Sequence, residues 1–348
     1  MANAYLTIIV PSVIAFIVTV IGIEFLMSYF YSAGIIAEDR NKARAVRIPS
    51  SGGLAVAFGI MVGILTYTFG GSFGFFKPLL SISTLLAVAL SIVLIAMVGF
   101  LDDINVKAQR VDTTDLKDIR KGLEQWQKPL LTLLGALPLM AINAGVSYLN
   151  IPFLGEMYLG NIYPLVIIPL AVIFISNSFN LLGGFDGLQP AMGLVASLGF
   201  VIYSLLFGNY IGLLLSSLLF IAILAFLPFN LYKARMIPGD SFTYAVGGSL
   251  AAIMIMGNAE VFGIIVIAPW IIEFLLHLRR RFRVTDLGIR QKDGTFRAPY
   301  GKRIYSLTHW VMNAAKGGAT ETYVTSYLTL VEVGFVVLAL LLKAYGFL

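Results

Sequence analysis

The sequence predicts an all-α polytopic membrane protein with about ten membrane-spanning helices, and three observations predict it. Of 348 residues, 59% are hydrophobic and only 12% charged, with a mean hydropathy of +0.90, a balance that no water-soluble globular domain of this length shows. Apolar runs long enough to cross a hydrocarbon core of about 30 Å recur along the chain. Basic residues gather in four segments lying between those runs.

The runs fall at 5–30, 52–70, 77–101, 128–146, 160–182, 187–206, 209–228, 241–257, 260–278 and 322–346, leaving a long polar loop at 279–320. Of the 24 Lys and Arg residues, four lie in 40–47, six in 107–128, two in 233–235 and ten in 279–316, leaving Lys77 and Lys343. Lys and Arg are retained on the cytoplasmic side during insertion. A ten-helix order with both termini outside puts all four segments on that side, together with the connection between helices five and six. The net charge of +6 is then explained by loops lying against an anionic leaflet, and nucleic acid is set aside as a partner. The absence of cysteine excludes disulfides, thiolate metal sites and a catalytic thiol. No Lys or Arg precedes the first run and no convincing cleavage site follows it, so that run is expected to be a retained helix. Two loops have hairpin patterns, one turning at Asp293-Gly294 between Gln291 and Arg297, the other alternating around glycines from Asn150 to Asn161.

The chemistry concentrates at Asn177-Ser-Phe-Asn180-Leu-Leu-Gly-Gly184-Phe-Asp186-Gly-Leu, where two carboxamides, a Gly-Gly pair and a carboxylate close the fifth run. Polar groups at a membrane helix end are expensive and need a purpose. Asn177 and Asn180 are three residues apart and share a helix face. The pattern reads as a ligand or metal site facing the cytoplasm. Gly99-Phe-Leu-Asp102-Asp103 closes the third run with adjacent carboxylates, at the helix end whose dipole disfavours anions; a nearby cation would offset this, and a solvated helix exit is the plain alternative. Pro238-Gly-Asp240-Ser-Phe opens the eighth run, where Asp240 serves equally as an N-cap or a ligand. Oxygen donors without His or Cys suit Mg²⁺ or Mn²⁺ over zinc. Lys128, beside Pro129, and Arg279, Arg280, Arg281 and Arg283 could bind phosphate or simply anchor the membrane face. Ile48-Pro-Ser-Ser-Gly-Gly53 is either a turn into a helix or a glycine-rich phosphate contact.

In order, Ile-Pro-Ser-Ser-Gly-Gly, Gly-Phe-Leu-Asp-Asp, Lys-Pro, Asn-Ser-Phe-Asn-Leu-Leu-Gly-Gly-Phe-Asp-Gly-Leu, Pro-Gly-Asp-Ser-Phe and the Arg-rich loop resemble the polyprenyl-phosphate N-acetylhexosamine-1-phosphate transferase superfamily. The late Lys292-Asp-Gly-Thr-Phe-Arg297 and Tyr300-Gly-Lys302 stretch resembles the dolichyl-phosphate N-acetylglucosamine-phosphotransferase branch of archaea and eukaryotes. The resemblance implies a single transmembrane catalytic domain over 1–348. It implies that a polyprenyl or dolichyl phosphate attacks the β-phosphorus of UDP-N-acetylglucosamine with Mg²⁺, releasing UMP. Asn180 and Asp240 would then be metal ligands. Gly184 and Asp186 would hold uridine, with Asn177 shaping the pocket. Lys128 and Arg279, Arg281 and Arg283 would meet phosphates, and Asp102 and Asp103 would be the paired aspartates acting as base or organiser. Since a phosphate monoester is already largely a dianion above a second pKa of about 6, the organiser role is favoured. Two departures stand out: no His lies within 279–283, and Ser50 stands where the eukaryotic branch has an acid.

A secondary transporter would explain ten helices equally, but it predicts ionisable groups near mid-membrane, where only the scattered Glu24 and Glu273 are candidates. Other readings left open are another UDP-sugar, an undecaprenyl carrier, and a homodimer seam at the Gly59 to Gly63 spacing, for which packing within the chain is the plainer account. The branch fits an archaeal cell membrane, with the endoplasmic reticulum as the alternative.

Overall fold

A computed structural model describes residues 2–39, 41–43, 46–104, 123–124, 126–151 and 155–348. The basic stretch 107–122 and the hairpin tip 152–154 lie outside the described residues. The helices are α1 (Ala2–Ala33), α2 (Gly53–Ser72), α3 (Ile82–Ile104), α4 (Gln127–Ala141), α5 (Ile168–Leu181, entered through a π turn at Tyr163–Ile167), α6 (Leu188–Leu206), α7 (Tyr210–Asn230), α8 (Gly239–Met256), α9 (Glu260–Val266), α10 (Ala268–Leu278), α11 (Leu307–Ala314) and α12 (Glu321–Ala344), and each expected apolar run coincides with helix. Among the described residues, seven spans are long and apolar enough to cross a membrane, and the α9–α10 pair would make an eighth. The chain is an integral membrane protein.

The differences from expectation have local causes. The ninth run is not one straight helix but is bent by 64° between α9 and α10. Pro269, at the start of α10, has no N–H and its ring would clash with the carbonyl one turn earlier, so the helix cannot run straight through. The fourth helix stops at Ala141, well short of 146, and Asn143 and Gly145 beyond it take left-handed backbone. At 15 residues α4 spans only about 22 Å. The polar loop after α10 contains α11, which no apolar run announced.

Both expected hairpins form, as β3 (Tyr148–Ile151) with β4 (Gly155–Tyr158) and β5 (Ile289–Arg290) with β6 (Phe296–Arg297). A third, β1 (Ile36–Asp39) with β2 (Val46–Pro49), was not expected, because nothing between the strands resembles a tight-turn dipeptide.

The helix with the polar start is the central one. Ser241 to Ile255 of α8 are all buried, and α8 packs against α2, α3, α5 and α7. Because other helices shield it, α8 carries Ser, Thr and paired glycines that a lipid-facing helix would replace with large apolar residues. The latter are exposed on α1 instead, as at Ile17, Ile21 and Phe25. Gly59 and Gly63 of α2 abut Thr19 of α1 and Leu218 of α7, so this small-residue spacing is used within the chain.

A close helix crossing sits where α3 meets the start of α8. A Cβ at Gly99 would overlap the carbonyl oxygen of Asp240, so only glycine lets the two backbones approach. Gly99→Ala should therefore push α8 away and destabilise the protein by about 1–3 kcal/mol, read as a lowered Tm in detergent. An unchanged Tm would show that the crossing has slack.

Candidate functional site

Most of the sequence-predicted site residues meet at the end of the bundle where α3, α5 and α7 finish and α2, α4, α6, α8 and α12 begin. Asp103, buried at the end of α3, spends its carboxylate on α8. Oδ1 accepts from the Asp240 backbone N–H at 2.8 Å, and Oδ2 accepts from the Ser241 N–H at 3.1 Å and the Ser51 hydroxyl at 2.8 Å. A helix start leaves four N–H groups without helical partners, and Asp103 satisfies two of them from another helix, at the dipole end that favours an anion. Gly239 directly before has φ +74°, and a Cβ there would overlap the Asp103 carboxylate. Ser51 is reached through the Ile48–Gly53 segment, whose Gly52 and Gly53 N–H groups donate to Ile237 and Pro238 carbonyls. Those two amides are spent on backbone rather than presented to a phosphate.

Asp102 faces α4. Its Oδ2 lies 2.6 Å from Lys128 Nζ and its Oδ1 accepts from the Leu123 N–H at 2.5 Å. Lys128 Nζ in turn lies 3.4 Å from Asp240 Oδ2. The Asp102 side chain is 1% exposed and that of Asp240 30%, so of these acids it is Asp240 that opens onto solvent. Asn180 completes the row, its Oδ1 accepting from Thr243 Oγ1 at 2.9 Å. Asn177 turns elsewhere: its Nδ2 donates to Ile173 O and to Thr132 Oγ1 of α4, bracing the helix that carries Lys128.

Asn180 and Asp240 line a cavity of about 300 Å³, together with Gly183, Gly184, Asp186, Glu38, Asp39 and Asp286. Five of its lining residues are carboxylates and, among the described residues, none is Lys or Arg. The side-chain oxygens of Asn180 and Asp240, which line the cavity, are the hard donors that Mg²⁺ takes, so this residue set fits that ion. The arginines expected at the phosphates are not drawn in. Arg279, Arg280, Arg281 and Arg283 are exposed, and the guanidinium groups of Arg279 and Arg280 lie over the Tyr305 ring at 5.8 and 5.3 Å.

The sequence pattern of glycosyl transferase family 4 matches residues 85–258, which carry the Asp102–Asp103, Lys128, Asn180–Asp186 and Asp240 motifs. Over 97% of both chains, 32% of residues are identical to a protein of Saccharolobus solfataricus with the provisional name UDP-N-acetylglucosamine–dolichyl-phosphate N-acetylglucosaminephosphotransferase. The chain belongs to glycosyl transferase family 4. A Sulfolobus acidocaldarius protein with the same provisional name is 26% identical over 99% of this chain and 98% of its own. The phospho-N-acetylmuramoyl-pentapeptide-transferase of Halalkalibacterium halodurans is 29% identical over 78% of this chain and 80% of its own.

In this family 4 member the cavity is flanked by residues that the motifs did not announce. Lys42, after β1, lies 2.6 Å from Asp186 Oδ2, 2.8 Å from Glu321 Oε2 and 3.1 Å from Asp39 Oδ2. Glu321 also accepts from the Asp186 N–H at 3.0 Å. Asp286 accepts from the Gly183 N–H at 3.1 Å, and its carbonyl takes the Thr308 hydroxyl of α11 at 2.6 Å. Glu273 of α10 is buried, held to His277 at 2.9 Å and to the Leu307 N–H that opens α11 at 2.7 Å. His309 beside it stays neutral, burial and then the neighbouring His277 pushing it down to about 4.

Burial pushes Asp186 up to about 6, with Glu321 and Asp39 adding to the shift and the Lys42 and Ala234 hydrogen bonds opposing it. Burial works against the Lys42 charge, but hydrogen bonds and charges of Asp186 and Glu321 outweigh it and raise the lysine above its ordinary value. From the usual 3.8 up to about 6, the folded chain keeps a proton on Asp186 that the unfolded chain has lost, so stability from this group falls as pH rises through that window. Asp186→Asn removes this dependence. The Tm of the wild type relative to the variant should therefore drop between about pH 4 and about pH 6, measured in detergent. A constant difference would put Asp186 at an ordinary carboxylate value.

Proposed function

We propose that the protein transfers N-acetylglucosamine-1-phosphate from UDP-N-acetylglucosamine to a polyprenyl phosphate of the dolichyl type, forming lipid-pyrophosphoryl-N-acetylglucosamine and UMP. The observation that carries this reading is the row Asp102, Lys128, Asp240, Asn180 at the edge of the acidic cavity. An oxygen of the lipid phosphate forms a bond to the β-phosphorus, and the bond from that phosphorus to the bridging oxygen breaks, the oxygen leaving with UMP. The nucleophile is already largely ionised above a second pKa of about 6, so no base is required. What two approaching anions require is neutralisation and in-line placement. Lys128 supplies a cation aimed by Asp102, and Asp103 acts through the start of α8, keeping Asp240 at the cavity edge. Asn180 and Asp240 would hold Mg²⁺, which would supply positive charge for a pyrophosphate in a cavity lined by carboxylates.

The Gly183–Asp186 loop is assigned to the uridine end, and the exposed arginines after α10 to substrate that projects beyond the cavity. The reaction is assigned to the cytoplasmic face of a cell membrane, archaeal by the branch it resembles, as the first membrane step of lipid-linked oligosaccharide synthesis for N-glycosylation. The kinship with a phospho-N-acetylmuramoyl-pentapeptide-transferase favours, as a second reading, the same chemistry on another UDP-sugar or on undecaprenyl phosphate.

The test is UMP release by purified protein from UDP-N-acetylglucosamine with dolichyl or undecaprenyl phosphate. UMP is expected only when both lipid and Mg²⁺ are present. Folded protein that releases none with any of several lipids overturns the reading. Asp240→Asn should lower kcat by about a hundredfold or more with the protein still folded. Near-normal turnover would reduce Asp240 to a helix cap. For Asp102→Asn, the defect in kcat should stay constant from pH 6 to pH 9; a defect that shrinks as pH rises would make Asp102 a base.

A further inference from the structure

Lys42 and Lys128 are both lysines in ion pairs at the same end of the bundle, yet their surroundings differ in kind. An ammonium has three donors and no acceptor. Lys42 Nζ has three carboxylates at 2.6, 2.8 and 3.1 Å, and its remaining face lies over the Tyr232 ring at 4.7 Å. In this arrangement it has no donor left for a phosphate, so whatever it does for a substrate it does through its partners.

Those partners belong to separate parts of the chain. Asp39 is on β1, Asp186 on the loop between α5 and α6, and Glu321 at the first residue of α12. One oxygen from each lies within 4.8 Å of the others, a spacing at which three anions repel strongly unless a cation stands among them. The neighbouring Asn41 repeats the same link, its Nδ2 donating to the Gly184 carbonyl and, at 3.2 Å, to Glu321 Oε1. The loop is also tied to α12 by Thr325 Oγ1 donating to the Asp186 carbonyl at 2.8 Å. The β1–β2 hairpin thus grips the loop and α12 together, and Gly183, Gly184 and Asp186 of that loop line the cavity.

We infer that Lys42 is a positioning residue for the nucleotide end of the site: a tethered cation that clamps the Gly183–Asp186 loop to the start of α12 and so holds one wall of the cavity in shape. The nucleotide part of this inference rests on the function proposed above; the clamp itself does not.

The test uses Lys42→Met in the full chain, read in two ways. Hydrogen exchange of the backbone amides at 183–187 should accelerate at least about tenfold, because the loop opens without its cation, while α7 is unaffected. The KM for UDP-N-acetylglucosamine should rise about tenfold, with kcat and the KM for lipid phosphate within about twofold of wild type, as expected when binding alone is lost. Lys42→Arg should restore much of both. If Lys42→Met does not fold, the double variant Lys42→Met/Glu321→Gln replaces it. Three carboxylates and one ammonium give the cluster −2, and two carboxylates alone also give −2, so the double variant loses the bridge without gaining repulsion. Unchanged exchange overturns the clamp, and so does a fall in kcat at constant KM. Faster exchange in the variant with a wild type that neither binds UDP nor releases UMP supports the clamp and overturns the transferase reading instead.

Discussion

The structure depends on how the start of α8 is buried. A helix that begins inside a protein must find partners for N–H groups that its own turns cannot reach, and in a membrane bundle water is scarce there. Asp103 resolves this from the end of α3, accepting from the Asp240 and Ser241 amides and from Ser51. The bare backbone of Gly99 lets α3 come close enough for that carboxylate to reach. With α8 fixed in this way, Asp240 cannot retreat into the protein and stands at the cavity edge. Two adjacent aspartates thereby do opposite jobs, because successive residues on a helix point about 100° apart: Asp103 is turned to α8 and Asp102 to Lys128.

Charge at this end is distributed by the same logic. The cavity is lined by acids, and the two lysines beside it are not equivalent. Lys42 is enclosed by three carboxylates, whereas Lys128 has one close partner at 2.6 Å and a looser one at 3.4 Å. The looser contact is the one that a competing anion or cation can replace. A cation held tightly at every donor organises protein, and one held tightly on a single side can be turned to a ligand.

Much of this was legible in sequence because the informative residues are unusual where they stand. A carboxylate or carboxamide at the end of an apolar run is costly, so Asp102, Asn180 and Asp240 declare themselves against their neighbours. Lys42, Asp39 and Glu321 do not. They lie in polar segments where Lys and Glu are ordinary, and Lys42 is separated from Asp186 and Glu321 by 144 and 279 positions. The weak β1–β2 hairpin that presents Lys42 has no turn dipeptide to announce it. The arginine run was conspicuous for the opposite reason, as a dense charge cluster, and a dense cluster serves membrane anchoring as readily as phosphate binding. Asn177 was correctly paired with Asn180 by helical spacing, but sharing a face does not mean sharing a partner: Asn177 reaches α4 and Asn180 reaches Thr243.

The bent α9–α10 pair shows how such a site is framed at a distance. Pro269 bends the chain between α9 and α10, and α10 carries Glu273, a carboxylate buried in an apolar helix. Its two oxygens answer for that burial, one held by His277 and the other by the Leu307 amide at the start of α11. From α11, Thr308 holds the backbone at Asp286, and Asp286 holds Gly183. The Gly183–Asp186 loop is therefore gripped on one side by Asp286 and on the other by Lys42 and Glu321. A loop that carries two glycines has little rigidity of its own. Its shape is imposed by Lys42 beyond β1, by Asp286 beyond α10, itself held from α11, and by Glu321 of α12, and this is why residues far apart in sequence and absent from the conspicuous motifs belong to the candidate site.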